Sequence, residues 1–149
     1  MTHQEMWAAC KAVIPNAGED YMAWVYGDDP DTLAELTRTG MKTATASSGP
    51  LYALEGEPLP EAGEYSVVLN SRDEAVCVIH TTRVYTMPFC EVTAGHAYKE
   101  GEGDRSLEYW RRVHENFFRA ELAEAGLEFS PEMPVVCEEF EVVYPPSET

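Results

Sequence analysis

Gly40-Met41-Lys42-Thr43-Ala44-Thr45-Ala46-Ser47 is where the chain changes period. Upstream of it, apolar residues recur at helical spacing, in pieces. Met6, Ala9, Cys10 and Val13 precede Pro15; Tyr21, Met22, Trp24 and Val25 make a short apolar turn ending near Gly27; Leu33 and Leu36 follow Pro30 in a segment closed by Gly40. From Lys42 onward the pattern alternates. Residues 64–70, 75–85 and 135–144 are rich in Val, Ile, Tyr, Thr and Phe and read as strands, the first two joined as a hairpin by Asn70-Ser71-Arg72-Asp73. Gly40 can take the left-handed conformation that ends a helix, so the quoted stretch turns sharply from helix into sheet.

A helical insert separates the last two strands. Thr93 is placed to cap a short helix through His96, Glu100-Gly101-Glu102-Gly103-Asp104 interrupts it, and Asp104 or Ser106 caps a longer helix to Ala125 that stops at Gly126. On that helix Leu107, Trp110, Val113, His114, Phe117, Phe118 and Leu122 form one apolar stripe, with Glu108/Arg112 and Glu115/Arg119 as i,i+4 pairs opposite. Helices first, then a mixed and mainly β body with a helical insert, describe an α+β domain: a small curved sheet or β-barrel with flanking helices over its openings. Residues 1–149 read as one domain, with an N-terminal helical segment 1–40 and an acidic, proline-containing tail 145–149.

The charge balance narrows the partners. In 149 residues, 27 acids face 10 Lys and Arg, for a formal net charge of −17. Phosphate backbones are held mainly by Lys and Arg, so RNA is disfavoured as a partner and a small-molecule ligand is preferred. Three Trp, eight Tyr and five Phe supply a core that a disordered acidic chain lacks. Cys10, Cys77, Cys90 and Cys137 form no CxxC pair and read as reduced and structural, which suits a cytoplasmic protein. No stretch has the ~18 apolar residues of a bilayer span, and the first residues lack a basic then apolar leader, so no membrane association is expected. P-loop, GxGxxG, GxSxG and HExxH motifs are all missing.

Two constellations carry chemistry. Lys42 sits where the turn hands over to a strand on which Thr43, Thr45 and Ser47 share a face. Burial disfavours the ammonium form, and the neutral amine can take a proton from a hydroxyl and make it a nucleophile. The competing reading makes Lys42 a solvated edge residue among β-forming threonines. Glu100, Glu102 and Asp104 read as a divalent-metal loop, as the source of a general acid/base, or as a solvated turn with Asp104 as a cap. His114 reads as a half-buried helix histidine, and His96 stands four residues before Glu100. Trp24, Tyr26 and Tyr52 offer stacking faces near the turn, and Phe89 and Trp110 border the acidic loop.

These residues together resemble the ASCH-domain family, among the PUA-like folds. The resemblance runs from Trp24 and Gly27 through Leu36 into Gly40-x-Lys42-Thr43-x-Thr45, through Pro60-x-x-Gly63-x-Tyr65, Pro88-Phe89, Val92-Thr93 and Ala97, to Glu100-Gly101-Glu102-Gly103-Asp104 with Leu107, Trp110, His114, Phe117 and Phe118. It covers roughly residues 20–144 and implies a small PUA-like β-barrel with a cleft between barrel and helices. The family includes small amidohydrolases that deacetylate N4-acetylcytidine with a Lys, a Thr three residues later and a Glu. The matching positions are Lys42, Thr45 and Glu100, with Glu102 able to substitute for the last. On that reading neutral Lys42 activates Thr45, and Glu100 protonates or orients the departing amino group. Trp24, Thr43, Ser47, Glu102, Trp110 and His114 are the substrate-binding candidates, and the reaction calls for neither metal nor cofactor. The alternatives are a divalent-metal-dependent ribonuclease and a non-catalytic RNA- or nucleotide-binding module. On a regular strand Lys42 and Thr45 face opposite ways, so the scheme requires a bend at Lys42 or Thr43.

Overall fold

A computed structural model describes residues 1–145; the tail expected at 145–149 lies outside the described residues except for Pro145. Its centre is a five-stranded mixed sheet in the order β1-β3-β4-β5-β2, curled into a half-barrel with five helices around it. The strands are β1 (Met22–Val25), β2 (Ala44–Ser48), β3 (Tyr65–Leu69), β4 (Ala75–Pro88) and β5 (Pro134–Tyr144). The helices are α1 (His3–Val13), α2 (Pro30–Arg38), α3 (Gly49–Glu55), α4 (Ala94–Glu100) and α5 (Leu107–Glu124). β1 runs parallel to β3; every other pairing is antiparallel.

Strand alternation divides the core. Val67 packs with Met6, Trp7 and Cys10 of α1, while its neighbour Val68 packs with Tyr26, Ala34, Ile79 and Phe140 on the α2 side. A third cluster joins Trp110, Phe118 and Leu122 of α5 to Val135 and Cys137 of β5, with Phe89 and Val92 between. These are the residues of the apolar stripe on the long helix, and their burial fixes α5 against the half-barrel. Cys10, Cys77 and Cys137 are buried free thiols, and Cys90 is exposed. Among the described residues no helix is long and apolar enough to cross a membrane.

The sequence misleads in three places and leaves the cap of the longest helix between two residues. Residues 22–25 form the edge strand β1, not a helical turn: four residues cannot sustain a helix, and pairing with Ser66–Leu69 supplies the backbone bonds instead. The helix α3, opened by Pro50 and closed by Gly56, spans only seven residues and buries none of them, too short for a helical period to show. α4 continues past His96 to Glu100, with Thr93 as its cap. Ser106, whose Oγ accepts the Tyr109 amide at 3.1 Å, caps α5. Asp104 instead accepts the Ser106 amide at 2.9 Å in the preceding turn.

Candidate functional site

The two conspicuous motifs meet backbone to backbone. Gly101, at φ +71°, closes α4, and a Cβ built there would lie 2.3 Å from the Met41 carbonyl oxygen. Only glycine permits this approach, so the Glu100-Gly101-Glu102 run packs directly on the Gly40-Met41-Lys42 turn. Thr43 secures the junction. Its amide and its hydroxyl both donate to the Lys99 carbonyl, at 2.7 and 3.2 Å, and its own carbonyl accepts the Phe140 amide at 3.0 Å. β2 begins only at Ala44, so Lys42 precedes the regular strand. This departure from strand geometry lets Lys42 and Thr45 line the same cavity, of about 60 Å³, together with Glu100, Glu102 and His114.

Glu100 organises the cavity floor. It is 1% exposed, yet both carboxylate oxygens are engaged twice. Oε1 lies 3.1 Å from Lys42 Nζ and 3.3 Å from His114 Nε2; Oε2 accepts from His96 Nε2 and from Trp110 Nε1, each at 2.6 Å. His96 in its Nε2–H tautomer satisfies two partners, donating to Glu100 and accepting from the Tyr85 hydroxyl at 2.8 Å. The Trp110 carbonyl accepts from His114 Nδ1 at 2.9 Å, which leaves Nε2 facing Glu100. Burial works to protonate the Glu100 carboxyl, but Lys42, His114 and the hydrogen bonds outweigh it and hold its pKa well below the usual carboxylate range.

Lys42 is equally buried, at 1% exposed, with Nζ 3.0 Å from Glu102 and 5.5 Å from the centre of the Tyr26 ring. Burial alone favours the neutral amine, as the sequence suggests. The opposing pull of Glu100 and Glu102 is larger and raises its pKa above the ordinary lysine value. Resting Lys42 is therefore an ammonium ion, which corrects the expectation of a neutral base. His114 behaves in the same way: burial disfavours its cation, Glu100 more than compensates, and its pKa is raised. The deprotonated, four-fold bonded Glu100 suits orienting its neighbours and does not suit protonating a leaving group.

The metal-loop reading meets a different arrangement. Glu100, Glu102 and His114 offer ligand atoms within 4.8 Å of one another, but the Lys42 ammonium lies between the two carboxylates. A divalent ion there would have to displace it. Asp104 stays at the surface, its carboxyl pKa lowered by its hydrogen bonds to Ser106, and takes no part in the cluster. The donor set of Glu100, Glu102 and Asp104 anticipated for a metal is not assembled.

A second, wider space opens beyond Thr45. This groove, of about 340 Å³, is walled by Trp24, Tyr26, Tyr52 and Leu59, with Ser47, Glu64 and Glu138 among its polar groups. Thr45 belongs to both spaces. Ser47 is bonded to the Tyr52 hydroxyl at 2.7 Å, and Trp24 meets Tyr26 edge to face with centroids 4.9 Å apart. The substrate-binding candidates therefore divide. Trp24 and Ser47 line the groove, and Glu102 and His114 line the cavity. Thr43 fastens α4 to the sheet, and Trp110 lies beneath Glu100 as a buried donor. Tyr85 and Glu138 were missed, whereas His96 was marked by its spacing of four from Glu100.

Comparison with known proteins agrees with this architecture. The chain is 32% identical to the ASCH domain from Lactobacillus crispatus JV V101, whose crystal structure superposes with a TM-score of 0.89 over 95% of this chain and 93% of that one. It is 35% identical to protein EF3133 from Enterococcus faecalis V583, with a TM-score of 0.86 over 93% and 86% of the two chains. Among curated proteins none matches. The ASCH domain family model matches residues 22–144, from the first strand to the last, and the chain belongs to the ASCH-domain family, with its PUA-like α+β fold.

Proposed function

We propose that the protein is an amidohydrolase acting on an acylated nucleoside such as N4-acetylcytidine, with Thr45 as nucleophile, Lys42 as its proton acceptor and Glu100 as the residue that positions Lys42. One observation carries the reading. Thr45 stands at the junction of a small charged cavity and a larger aromatic groove. The cavity, of about 60 Å³, is small beside the groove, which suits a two-carbon acyl group. The groove suits a planar heterocycle stacked on aromatic faces.

The chemistry starts from the ion cluster. Lys42 passes a proton to Glu102, the less buried of its two carboxylate partners, and the freed amine takes the Thr45 hydroxyl proton. The Thr45 oxygen bonds to the acyl carbon while the carbonyl π pair moves onto oxygen, and the Lys42 ammonium re-formed in this step lines the same cavity as the developing charge. Collapse of this intermediate breaks the C–N bond and leaves an acyl-Thr45 ester, which water then hydrolyses. Glu100 stays ionised throughout, holding Lys42 and His114 in place.

Binding of RNA is the second reading, which the PUA-like fold favours. The groove argues for a nucleoside over a polymer, because Glu57, Glu64 and Glu138 line it and no Lys or Arg does so among the described residues. The test is hydrolysis of N4-acetylcytidine, followed by mass spectrometry with and without chelator, for the native protein and for Lys42→Ala, Thr45→Ala and Glu100→Ala. Turnover that resists chelator and is lost in all three variants is expected. An inactive native protein that binds single-stranded RNA, with affinity falling steeply as salt rises, would sink the proposal.

A further inference from the structure

The two spaces that share Thr45 hold carboxyl groups in opposite circumstances. Glu100 is saturated with donors. Glu138, in the groove, has no hydrogen-bond or ion-pair partner among the described residues. Its place is set by sheet register: Thr45 of β2 stands directly opposite Glu138 of β5, so the two side chains leave the sheet on the same face as cross-strand neighbours. A substrate with its acyl group in the cavity and its amine portion in the groove brings the scissile nitrogen past Thr45 toward Glu138.

We propose that Glu138 is the proton donor to the leaving nitrogen when Thr45 is acylated, and the proton acceptor from water when the acyl-Thr45 ester is hydrolysed. The proposal rests on the amidohydrolase reading and supplies the acid that Glu100 cannot be. In the first step the C–N bonding pair leaves with nitrogen and takes the Glu138 proton, giving a free amine and a Glu138 carboxylate. In the second step that carboxylate removes a proton from water, and the water oxygen bonds to the acyl carbon. The bond from carbon to Thr45 Oγ then breaks, Oγ recovers its proton from Lys42, and Lys42 recovers the proton it had passed to Glu102. Each residue ends in its starting state, and the products are the amine and a carboxylic acid.

The surroundings of Glu138 fit a group that must both give and take a proton at neutral pH. Thr45 faces it from β2, Val84 is its register partner on β4, Tyr52 approaches from α3, and Glu57 and Glu64 line the same groove. No cation lines that groove among the described residues. Burial, assisted by Glu64, pushes the carboxyl up to about 7. Glu100 and Glu138 thus have pKa values driven apart by environment, the arrangement that separates fixed charge from acid/base work.

The experiment compares native protein with Glu138→Gln on N4-acetylcytidine and on 4-nitrophenyl acetate, whose phenolate leaves without a proton, across roughly pH 5 to 9. Circular dichroism and melting confirm that the variant is folded. With the amide, native turnover falls as pH rises through about 7, because the donor loses its proton, and Glu138→Gln turns over about a hundredfold more slowly or worse with that limb gone. With the ester, Glu138→Gln acylates Thr45 at the native rate, seen as an undiminished nitrophenolate burst. Deacylation of the native protein slows as pH falls below about 7, the opposite limb. A Glu138→Gln variant with native amide turnover and an unchanged pH profile overturns the role of Glu138 and leaves the amidohydrolase reading standing. A native protein that hydrolyses no acetylated nucleoside overturns both.

Discussion

Glu100 and Glu138 lie in adjoining spaces and respond to burial in opposite ways. Glu100 is the more deeply buried, yet its pKa is held down; Glu138 is less enclosed, yet it is raised to about 7. The difference is in what surrounds them. Lys42, His114, His96 and Trp110 all direct protons at Glu100, whereas the charge that bears on the Glu138 carboxyl is that of another carboxylate, Glu64. Burial sets the cost of a charge, and the donors present decide whether that cost is met.

The most severe way to break the comparison is to remove the charge that is well supported. Glu100→Gln leaves the buried Lys42 ammonium with Glu102 as its one carboxylate partner and removes the carboxylate facing His114. Loss of one partner from such a cluster costs about 3–5 kcal/mol. At about 2–4 °C per kcal/mol for a chain of this size, the melting temperature should fall by about 10 °C or more. A drop of only a degree or two would show that Glu100 is not the anion on which the buried cluster depends.

Removing the unsupported charge should do the reverse. The folded pKa of Glu138 is raised from 4.5 to about 7, so the folded state binds its proton more tightly than the unfolded chain does. The sign follows: the stability is fully present below about pH 4.5 and is lost as pH rises through about 7. At pH 8 the ionised group costs about 3 kcal/mol, so Glu138→Gln should melt several degrees higher there, with the gain fading below about pH 5. A groove residue whose removal stabilises the fold is retained for some reason other than stability. Glu138→Gln melting below the native protein at pH 8 would mean that its carboxylate has a partner in solution.

Local signals explain what could be seen in the sequence. The stripe of α5, the left-handed Gly40 turn and the longer strands depend on periodicity and single-residue geometry, and they are where the pattern puts them. β1 was misread because its four residues owe their conformation to β3, more than forty positions away. Lys42, Thr45 and Glu100 were legible as motifs, but the ionisation of Lys42 was not, since it depends on two carboxylates 58 and 60 positions distant. Glu138 gave one faint sign. In Val136-x-Glu138-x-Phe140 an acid interrupts an alternating apolar face whose other two members are buried. That sign acquires meaning only once the register places Thr45 opposite it.

Two smaller effects sharpen the boundary between groove and scaffold. Trp24 is half-buried at the groove wall, and a base stacked on it is stabilised by about 1–3 kcal/mol. Trp24→Ala should therefore raise KM for an acetylated nucleoside by about tenfold and leave kcat near native, because Trp24 stacks on the heterocycle and neither gives nor takes a proton in the reaction. Thr43 should do the opposite. Its hydroxyl reaches the Lys99 carbonyl, so Thr43→Val removes one half-exposed hydrogen bond while keeping the side chain's shape and the backbone bond from the Thr43 amide. The expected loss is about 1 kcal/mol, read as a melting shift of about 2–4 °C with KM unchanged. A Thr43→Val protein with native melting and a raised KM would return Thr43 to the substrate-binding set and would mean that the Thr43–Lys99 contact opens when substrate enters.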